Sequence, residues 1–394
     1  MTATERVNLL LAQGADTIGT AERVIWELAT RLPATRYTIR AWLSPAAALD
    51  ELAASLGERG VEVERIPGIR SKWDVRGQAA VWAAMRRARP AIVHLHGAAD
   101  DLPRALPSGA RLAGAAPVIA SVQGSVAALS PELAVALRAA DAVTAVCTPV
   151  AEALRQALAL PRAATRVVPN GADPGDEIEE LPAARQLRER LHVGPFRPLW
   201  VTATRLEPEK GHDVLLEALA LLHGRGLAFV VALAGDGSCR PALERRAAEL
   251  GLAKEVHFLG QVESLGPVLR AADAFVLPSR AETLPLTVLE AMVRGRSVVA
   301  SEVGGIGDVV EDGVHGYLVP AGDAEALAAA LENLHQKSDR AHRMGQRAEE
   351  RVRSGWTWER VVDAYEVVYD ELLGLAGFVP EDAGEITRVD RGAR

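Results

Sequence analysis

Short apolar runs alternate with longer amphipathic stretches along the first half of the chain. This alternation is typical of βα units, in which successive strands enter one parallel sheet. We predict strands over residues 7–12, 37–43, 61–66, 91–95, 118–122, 142–146 and 166–168, and helices between them, most clearly over 20–31 and 74–89. The first half therefore has the pattern of an α/β domain.

A polar segment rich in proline and acidic residues, NGADPGDEIEELP at 170–182, interrupts this pattern. It carries no strand pattern, so we predict that it connects two domains. A second series follows, with strands over 199–204, 228–234, 256–259, 274–277, 297–300 and 316–319. Its helices are predicted over 213–223, 241–250, 286–294, 324–334 and 358–373. Two doubly wound domains account for this order, and their ligands should bind beyond the carboxyl ends of the strands.

The composition is that of an ordinary globular enzyme, since 49% of the 394 residues are apolar and 24% are charged. This is enough for two cores. The formal net charge of −8 argues against a nucleic-acid binder, which usually carries a basic domain or stripe. A phosphate ligand would therefore depend on local cations rather than on the overall field of the protein.

Cysteine usage and the length of the apolar runs predict where the protein resides. Cys147 and Cys239 lie far apart in the sequence and form neither a disulfide framework nor a zinc cluster, so we expect a reducing cytoplasm. No apolar run approaches the ~20 residues that span a bilayer, and we expect no transmembrane segment. The basic run RRAR at 86–89 leaves peripheral membrane contact open.

The densest group of chemically active residues is PSRAETLPLTVLEAM at 278–292. A loop after a strand carries Glu282, and Pro285 opens a helix that carries Glu290. Proline suits a first helical turn, and the amides of Leu286 and Thr287 then point out of the helix start. Such exposed amides form a phosphate site.

A second motif, TRLEPEKG at 204–211, places Arg205 after a strand and Lys210 at the start of the next helix. Two cations at such positions match a pyrophosphate, with arginine as a planar fork and lysine as a mobile point charge. The alternative for either residue is a solvated surface charge.

These motifs resemble those of family 4 glycosyltransferases, a large retaining family with the GT-B fold. Six blocks resemble those of the family and occur in the same order. They are VVPNGAD (167–173), TRLEPEKG (204–211), LAGDGSCRPALE (233–244), FLGQV (258–262), ADAFVLPSRAETLPLTVLEAM (272–292) and VVASEVGGIGDVVEDGVHGYLV (298–319). The resemblance is strongest over 167–317 and extends more weakly along nearly the whole chain.

The resemblance implies two Rossmann-like, doubly wound α/β domains that face each other across a cleft holding the active site. We expect an N-terminal acceptor-binding domain over 1–175, joined by a C-terminal helix at about 356–375. The nucleotide-sugar-binding domain would cover 176–355, and a polar tail 376–394.

The resemblance also implies roles for single residues of the second half. Glu290 would hold the ribose hydroxyls of the nucleotide, and Glu282 would face the hydroxyls of the transferred sugar. The leaving diphosphate would be neutralised by Arg205 and Lys210 and bound by the amides of Leu286 and Thr287. The backbone near Val262 would contact the base. Fixed positive charge at the leaving group lowers the barrier to sugar transfer.

We expect no metal and no cofactor, the nucleotide-sugar being a co-substrate. No Asp-x-Asp motif lies beside a strand, and Asp100–Asp101 has the wrong form. Arg205 and Lys210 would replace a metal, as the resemblance to metal-independent GT-B enzymes implies.

The first half carries fewer motifs, as expected where an acceptor binds. Gly19, in IGTAER (18–23), would lie close to the donor phosphate, although Thr20 stands where the family commonly has a second glycine. In IVHLHG (92–97), His94 and His96 share a strand face. We expect His96 to open toward the cleft, as a catalytic candidate, and His94 to be structural. In SVQG (121–124), Gln123 replaces the family's usual histidine, so it can orient a hydroxyl but not act as a general base.

The sequence thus predicts a retaining transfer of a hexose from a nucleotide-sugar, UDP-sugar favoured, to a hydroxyl acceptor, in natural-product or glycan biosynthesis. A small soluble acceptor is favoured. One alternative is a nucleotide-sugar epimerase on the same architecture, which the Glu282–Glu290 block does not suit. The other is a nucleotide-sugar-binding protein without catalysis, for which Thr20 and Gln123 are the hints.

Overall fold

A computed structural model describes residues 6–16, 19–66, 75–98, 102, 116–126, 129–160, 165–194 and 197–375. The polar tail predicted at 376–394 and the Asp100–Asp101 pair lie outside these residues. The chain divides into two compact units. Unit 1 contains Met1–Asn170 and Trp358–Arg394, and unit 2 contains Gly171–Thr357.

Unit 1 is built on a parallel sheet whose described strands follow the order β3-β2-β1-β4-β5-β6-β7. These strands are β1 Val7–Gln13, β2 Tyr37–Leu43, β3 Glu62–Arg65, β4 Ile92–Gly97, β5 Val118–Val122, β6 Ala142–Ala145 and β7 Thr165–Val167. Among the described residues, the helices that precede unit 2 are α1 Thr20–Arg31, α2 Asp50–Glu58, α3 Val75–Ala88, α4 Pro131–Arg138 and α5 Thr148–Leu158. Apolar runs such as Leu9–Leu11 are fully buried because helices cover both faces of a parallel sheet.

Unit 2 contains a second parallel sheet, in the order β10-β9-β8-β11-β12-β13. Its strands are β8 Leu199–Ala203, β9 Val230–Ala234, β10 Val256–Gly260, β11 Ala274–Leu277, β12 Ser297–Ser301 and β13 Gly316–Val319. Its helices are α6 Glu177–Arg190, α7 His212–Gly224, α8 Arg240–Glu249, α9 Gly266–Ala271, α10 Leu286–Met292, α11 Ile306–Val309, α12 Ala324–Gln336 and α13 Ser338–Gly355. The prediction of two doubly wound α/β domains is therefore confirmed.

The last described helix, α14 Trp358–Leu372, follows unit 2 in the sequence but packs in unit 1. It buries Trp358, Tyr365 and Tyr369. Its polar face makes ion pairs with unit 1, including Arg31 Nη1 to Glu359 Oε1 at 2.7 Å and Arg36 Nη1 to Glu366 Oε1 at 3.2 Å.

The segment predicted as a connection over 170–182 is partly helical, so that prediction is wrong at its carboxyl end. Helix α6 begins at Glu177, and Asp176 caps it by accepting a hydrogen bond from the Ile178 amide at 2.8 Å. Pro182 lies inside the helix and removes one internal hydrogen bond. The acidic residues that suggested a linker instead favour the positive end of the helix dipole.

Each sheet has one point where the strand order reverses. In unit 1 this point lies between β1 and β4, and in unit 2 between β8 and β11. The loops after such a strand pair diverge to opposite faces and leave a crevice at the carboxyl edge of the sheet. The predicted site residues are expected at these two edges.

Candidate functional site

In unit 2, the loops after β8 and β11 carry most of the predicted site residues. The two loops are joined directly, since the Arg280 amide donates to Glu209 O at 2.8 Å. The loop after β12 joins them because the Gly305 amide donates to Thr283 O at 2.6 Å. The predicted motifs at 204–211 and 278–292 therefore form one structure at the reversal point.

Lys210 and Glu282 form an ion pair at the centre of this structure, with 2.7 Å between Lys210 Nζ and Glu282 Oε1. The two side chains are only 16% and 8% exposed, so water screens the pair little. Ser279 Oγ donates to the same Oε1 at 2.8 Å. Glu282 Oε2 has no hydrogen-bond partner among the described residues and can accept one from a ligand.

Two glycines allow the backbone to approach this pair. Gly211 has a φ of +66°, and a Cβ added there would lie only 2.0 Å from Pro278 O. Gly304 has a φ of +56°, and a Cβ added there would lie 2.1 Å from Glu282 O. A side chain at either position would separate the loops, and both backbone conformations are ones that other residues rarely adopt.

Arg205 extends from the same edge of the sheet toward solvent. Its side chain is 71% exposed, and its guanidinium makes a surface ion pair with Glu209, Nη2 to Oε1 at 3.0 Å. Exposed pairs of this kind contribute little to stability. A ligand with more negative charge can therefore displace Glu209 at small cost.

Arg280, which was not among the predicted site residues, also joins the two loops. It makes two hydrogen bonds to Asp213, at 2.8 and 2.6 Å, and one to Pro208 O at 2.9 Å. The hydrogen bond from Arg280 lowers the pKa of the Asp213 carboxyl. A basic residue inside the 278–292 motif was the signal that could have identified it.

Glu290, Leu286 and Thr287 lie on α10, half-buried, directly after the loop that carries Glu282. Pro285 is the N-cap residue of this helix and makes no side-chain cap, which leaves the first-turn amides to other acceptors. Thr287 Oγ1 is buried without a partner in the described part of the chain. Val262 lies half-buried in the loop after β10, which is an edge strand of the sheet.

In unit 1, the reversal point carries a polar group on β1 and β4. Gln13 and His96 are aligned in the strand register and are 4% and 0% exposed. Both side-chain polar atoms of Gln13 and both ring nitrogens of His96 lack partners among the described residues. His96 is therefore buried, whereas we expected it to open toward the cleft. Burial lowers the pKa of His96 to about 3 and keeps the ring neutral.

His94 is structural, as predicted, and its ring stacks near that of His96 with centroids 3.8 Å apart. Its Nδ1 lies 2.8 Å from the hydroxyl of Tyr369, and its Nε2 lies 2.6 Å from Ser121 Oγ. Ser121 Oγ also lies 3.0 Å from the Tyr365 hydroxyl. This buried network attaches α14 to the sheet of unit 1.

Gly19 and Gln123 complete the predicted residues of unit 1. Gly19 is the N-cap of α1, and its amide donates to Glu22 Oε2 at 2.6 Å, so a protein carboxylate occupies this donor. Gln123 follows β5 and is 7% exposed. Its backbone amide donates to Gly97 O at 2.8 Å. Gly19, His96 and Gln123 thus lie in unit 1, whereas the remaining predicted residues lie in unit 2.

The described residues contain no cluster of three or more His, Cys, Asp or Glu side chains placed to hold a metal ion. Within the same part of the chain, no helix has both the length and the apolar character needed to cross a bilayer. What unit 2 offers a ligand is a carboxylate oxygen, two cations and helix-start amides, which together suit a hydroxyl-bearing phosphate ester.

Two family profiles match the chain. The family described as "Glycosyl transferases group 1" matches residues 185–351, and the family described as "Glycosyltransferase Family 4" matches residues 21–176. The first match contains Arg205, Lys210, Glu282 and Glu290, and the second contains His96 and Gln123.

Curated relatives agree with these profiles. The D-inositol 3-phosphate glycosyltransferase of Nocardia farcinica is 36% identical over 239 residues, which cover 56% of this chain and 51% of that relative. The GDP-mannose-dependent alpha-(1-6)-phosphatidylinositol monomannoside mannosyltransferase of Mycolicibacterium smegmatis is 33% identical over 207 residues, covering 50% and 54%. The chain thus spans about half the length of the curated relatives it matches.

A solved structure covers more of the chain. The crystal structure of Anabaena HepE in complex with UDP matches with a TM-score of 0.78 at 21% identity, over 93% of this chain and 100% of that chain. At that identity the likeness shows the fold, which is the GT-B fold.

Proposed function

Since the chain belongs to glycosyltransferase family 4 and has the GT-B fold, we propose that it transfers a hexose from a nucleotide-sugar to a hydroxyl group of an acceptor. The observation that carries this proposal is the Lys210–Glu282 ion pair at the reversal point of the unit 2 sheet. It presents a carboxylate oxygen and an ammonium group within one small space, as a sugar phosphate requires.

The donor would bind along the carboxyl edge of this sheet. Glu282 Oε2 accepts a hydrogen bond from a sugar hydroxyl, and Glu290 binds the ribose hydroxyls. The amides of Leu286 and Thr287 and the cations Arg205 and Lys210 bind the diphosphate. Lys210 Nζ makes one hydrogen bond among the described residues, to Glu282, and has two further protons for phosphate oxygens.

The reaction breaks the bond between the anomeric carbon and the diphosphate oxygen and forms a bond from that carbon to the acceptor oxygen. We propose that configuration is retained, and that the departing phosphate oxygen takes the acceptor proton. This requires no protein base. It agrees with Gln123, which cannot titrate, and with the burial of His96, which lowers its pKa to about 3 and makes the ring a weak base. Arg205 and Lys210 stabilise the negative charge that develops on the leaving group and make a metal unnecessary.

A uridine diphosphate donor is favoured because the neighbouring HepE structure contains UDP. The Mycolicibacterium relative is named as GDP-mannose-dependent, so the base requires a direct test. For the acceptor we propose a small molecule bearing hydroxyl groups, which the name of the Nocardia relative supports. The reaction would take place in the cytoplasm.

Nucleotide binding tests this proposal first. UDP, GDP, ADP and TDP, and then their sugar conjugates, are titrated while the melting temperature is measured. A donor that binds the folded protein raises this temperature with concentration. We expect one nucleotide to do so, and Glu290→Ala to remove most of the rise. Glu189→Ala, which removes an exposed carboxylate from α6, is the matched control and should keep it.

Turnover of the selected donor then separates an enzyme from a binding protein. Release of the nucleoside diphosphate, with or without an added acceptor, supports transfer. Stabilisation by a nucleotide with no release of diphosphate under any acceptor would support the non-catalytic alternative. No stabilisation by any nucleotide would contradict the proposal itself.

A further inference from the structure

A pocket lies in unit 2 at the opposite edge of the sheet from the Lys210–Glu282 pair. Its volume is about 490 Å³, within the ~300–1,000 Å³ typical of small-molecule sites. It is lined by residues directly before β8, β11 and β12, among them Pro198, Asp273 and Arg296. Because a strand rises ~3.3 Å per residue, the length of β12 separates the two edges by roughly 15 Å.

The lining is basic although the chain carries a net charge of −8. Arg188, Arg197 and Arg296 line the pocket together with one carboxylate, Asp273. Asp273 Oδ2 is occupied by Arg188 Nη1 at 3.0 Å and by the Leu199 amide at 2.7 Å. The pocket therefore concentrates positive charge that this carboxylate does not balance.

The three arginines have hydrogen-bond donors that no described residue uses. Arg188 uses Nη1, Arg197 uses Nη2 to bind Phe229 O at 2.9 Å, and Arg296 uses Nε and Nη1 for carbonyl oxygens at 2.9 and 2.7 Å. One terminal nitrogen of each guanidinium thus has no partner among the described residues. Three guanidinium forks with unused donors are suited to phosphate oxygens.

Arg296 lacks a directly bonded carboxylate in the described part of the chain. None of the ion pairs between described residues includes it, and its partners are the carbonyls of Arg294 and Ala272. Burial lowers its pKa and the guanidinium of Arg270 adds to this effect, whereas the carboxylates of Asp273 and Glu349 oppose it. An anion in the pocket would compensate this charge at the place where water does so poorly.

Two histidines and a helix start also line the pocket. His335 lies in the last turn of α12 and His342 in the second turn of α13. Ser338, the first residue of the 18-residue α13, also lines the pocket, and no side chain caps that helix. Amides at an uncapped helix start add hydrogen-bond donors that favour an anion.

We propose that this pocket binds a phosphate group, carried free or on a small organic molecule, at a site separate from the donor site of unit 2. The volume exceeds what a single phosphate fills, so a phosphomonoester suits it best. The site does not depend on the proposed transferase activity, because none of its lining residues belongs to the donor site.

The test measures phosphate binding to the intact protein in a background that lacks the donor cation Arg205, Arg205→Ala. Inorganic phosphate and glycerol 3-phosphate are titrated by calorimetry at constant ionic strength. We expect one site per chain. Arg197→Gln should weaken binding about tenfold, the effect of one charge-assisted hydrogen bond pair. His342→Gln, at an exposed lining position, is a second variant that should fold normally and weaken binding.

Arg185→Gln is the matched control, because it removes an exposed arginine from α6, the helix of Arg188, outside the pocket. It should leave phosphate affinity unchanged. Vesicles containing phosphatidic acid are the second arm. Vesicle binding that Arg197→Gln removes would assign the phosphate to a lipid headgroup, and binding of glycerol 3-phosphate alone would assign it to a free metabolite. No phosphate binding, or equal losses in Arg197→Gln and Arg185→Gln, would overturn the proposal.

Discussion

Glu180 and Arg294 form a buried ion pair, with 2.7 Å between Glu180 Oε1 and Arg294 Nη2, although 114 positions separate them in the sequence. Arg270 binds the other oxygen of Glu180 through Nε at 3.2 Å. Arg294 Nη1 also donates to Glu290 O at 3.0 Å. The start of unit 2 is thereby connected to the helix that carries Glu290.

We expect Glu180→Gln to lower the free energy of unfolding by about 3 kcal/mol, because it leaves two buried guanidiniums without a counter-charge. The variant should also bind the nucleotide more weakly, since Arg294 supports α10. Urea unfolding and nucleotide titration measure the two effects. Glu179→Gln makes the same charge change at an exposed neighbouring position and should be near neutral. Equal stabilities of the two variants would contradict this role for Glu180.

Gly304→Ala should disrupt the loop that holds Glu282. The added Cβ would lie 2.1 Å from Glu282 O, at a φ of +56° that alanine also disfavours. We expect a loss of about 2 kcal/mol in stability and a large fall in turnover. Gly307→Ala is the control, because a Cβ there meets nothing within 4 Å. Turnover and melting temperature of both variants check this, and parallel behaviour would count against the loop packing described above.

Lys210→Ala should reduce kcat by about 10²-fold or more, because a fixed charge is lost at the developing anion. Arg205→Ala should have a smaller effect, since its side chain is 71% exposed and water screens it. Steady-state kinetics with a saturating donor separate kcat from KM. Wild-type kcat in both variants would exclude these cations from the leaving-group site.

Activity should survive removal of divalent metal ions, because Arg205 and Lys210 supply the positive charge at the diphosphate. The measurement compares initial rates after extensive dialysis with EDTA against rates with added Mg²⁺. We expect less than a twofold difference. An activity that disappears in EDTA and returns with Mg²⁺ would contradict the metal-independent mechanism.

Acidification should destabilise the protein through its buried histidines. Burial lowers the pKa of His212 to about 4, an effect that Lys210 strengthens and Asp213 opposes. The unfolded chain, with its ordinary pKa near 6.5, takes up the proton first, so stability is full above about pH 6.5 and falls as the pH drops toward 4. One such group contributes about 2 kcal/mol between about pH 6.5 and pH 5.

Urea unfolding across this pH range tests the sign. His212→Gln should reduce the slope of stability against pH. His223→Gln, at an exposed position on the same helix, should leave it unchanged. A wild-type protein that gains stability on acidification would contradict the assignment.

Much of the architecture could be predicted from local patterns. The strands predicted at 199–204 and 274–277 agree with β8 and β11 within one residue, because a parallel strand buried on both faces is continuously apolar. Lys210 and Glu282 could be expected together because both follow strands that flank the reversal point.

Other features depend on contacts that no local pattern encodes. The Glu180–Arg294 pair joins residues far apart in the sequence, and nothing in the two segments indicates their pairing. The burial of His96 depends on tertiary contacts at the end of β4. The alternation of side chains along β4 does not specify those contacts. Helix α6 begins inside the segment predicted as a connection, because Asp176 caps it and the helix continues through Pro182.

The helix Trp358–Leu372 has a consequence for how the chain is made. The Tyr365 hydroxyl binds Ser121, and the Tyr369 hydroxyl binds His94. Both tyrosines are synthesised only after all of unit 2. At ~5–20 residues per second, translation of that unit takes on the order of ten to forty seconds. During this interval the sheet of unit 1 lacks α14. Its apolar face and the ring of His94, which are buried in the native protein, are then exposed to water. Unit 2 is thus free to fold first, and a chaperone that shields the waiting sheet would raise the yield of native protein.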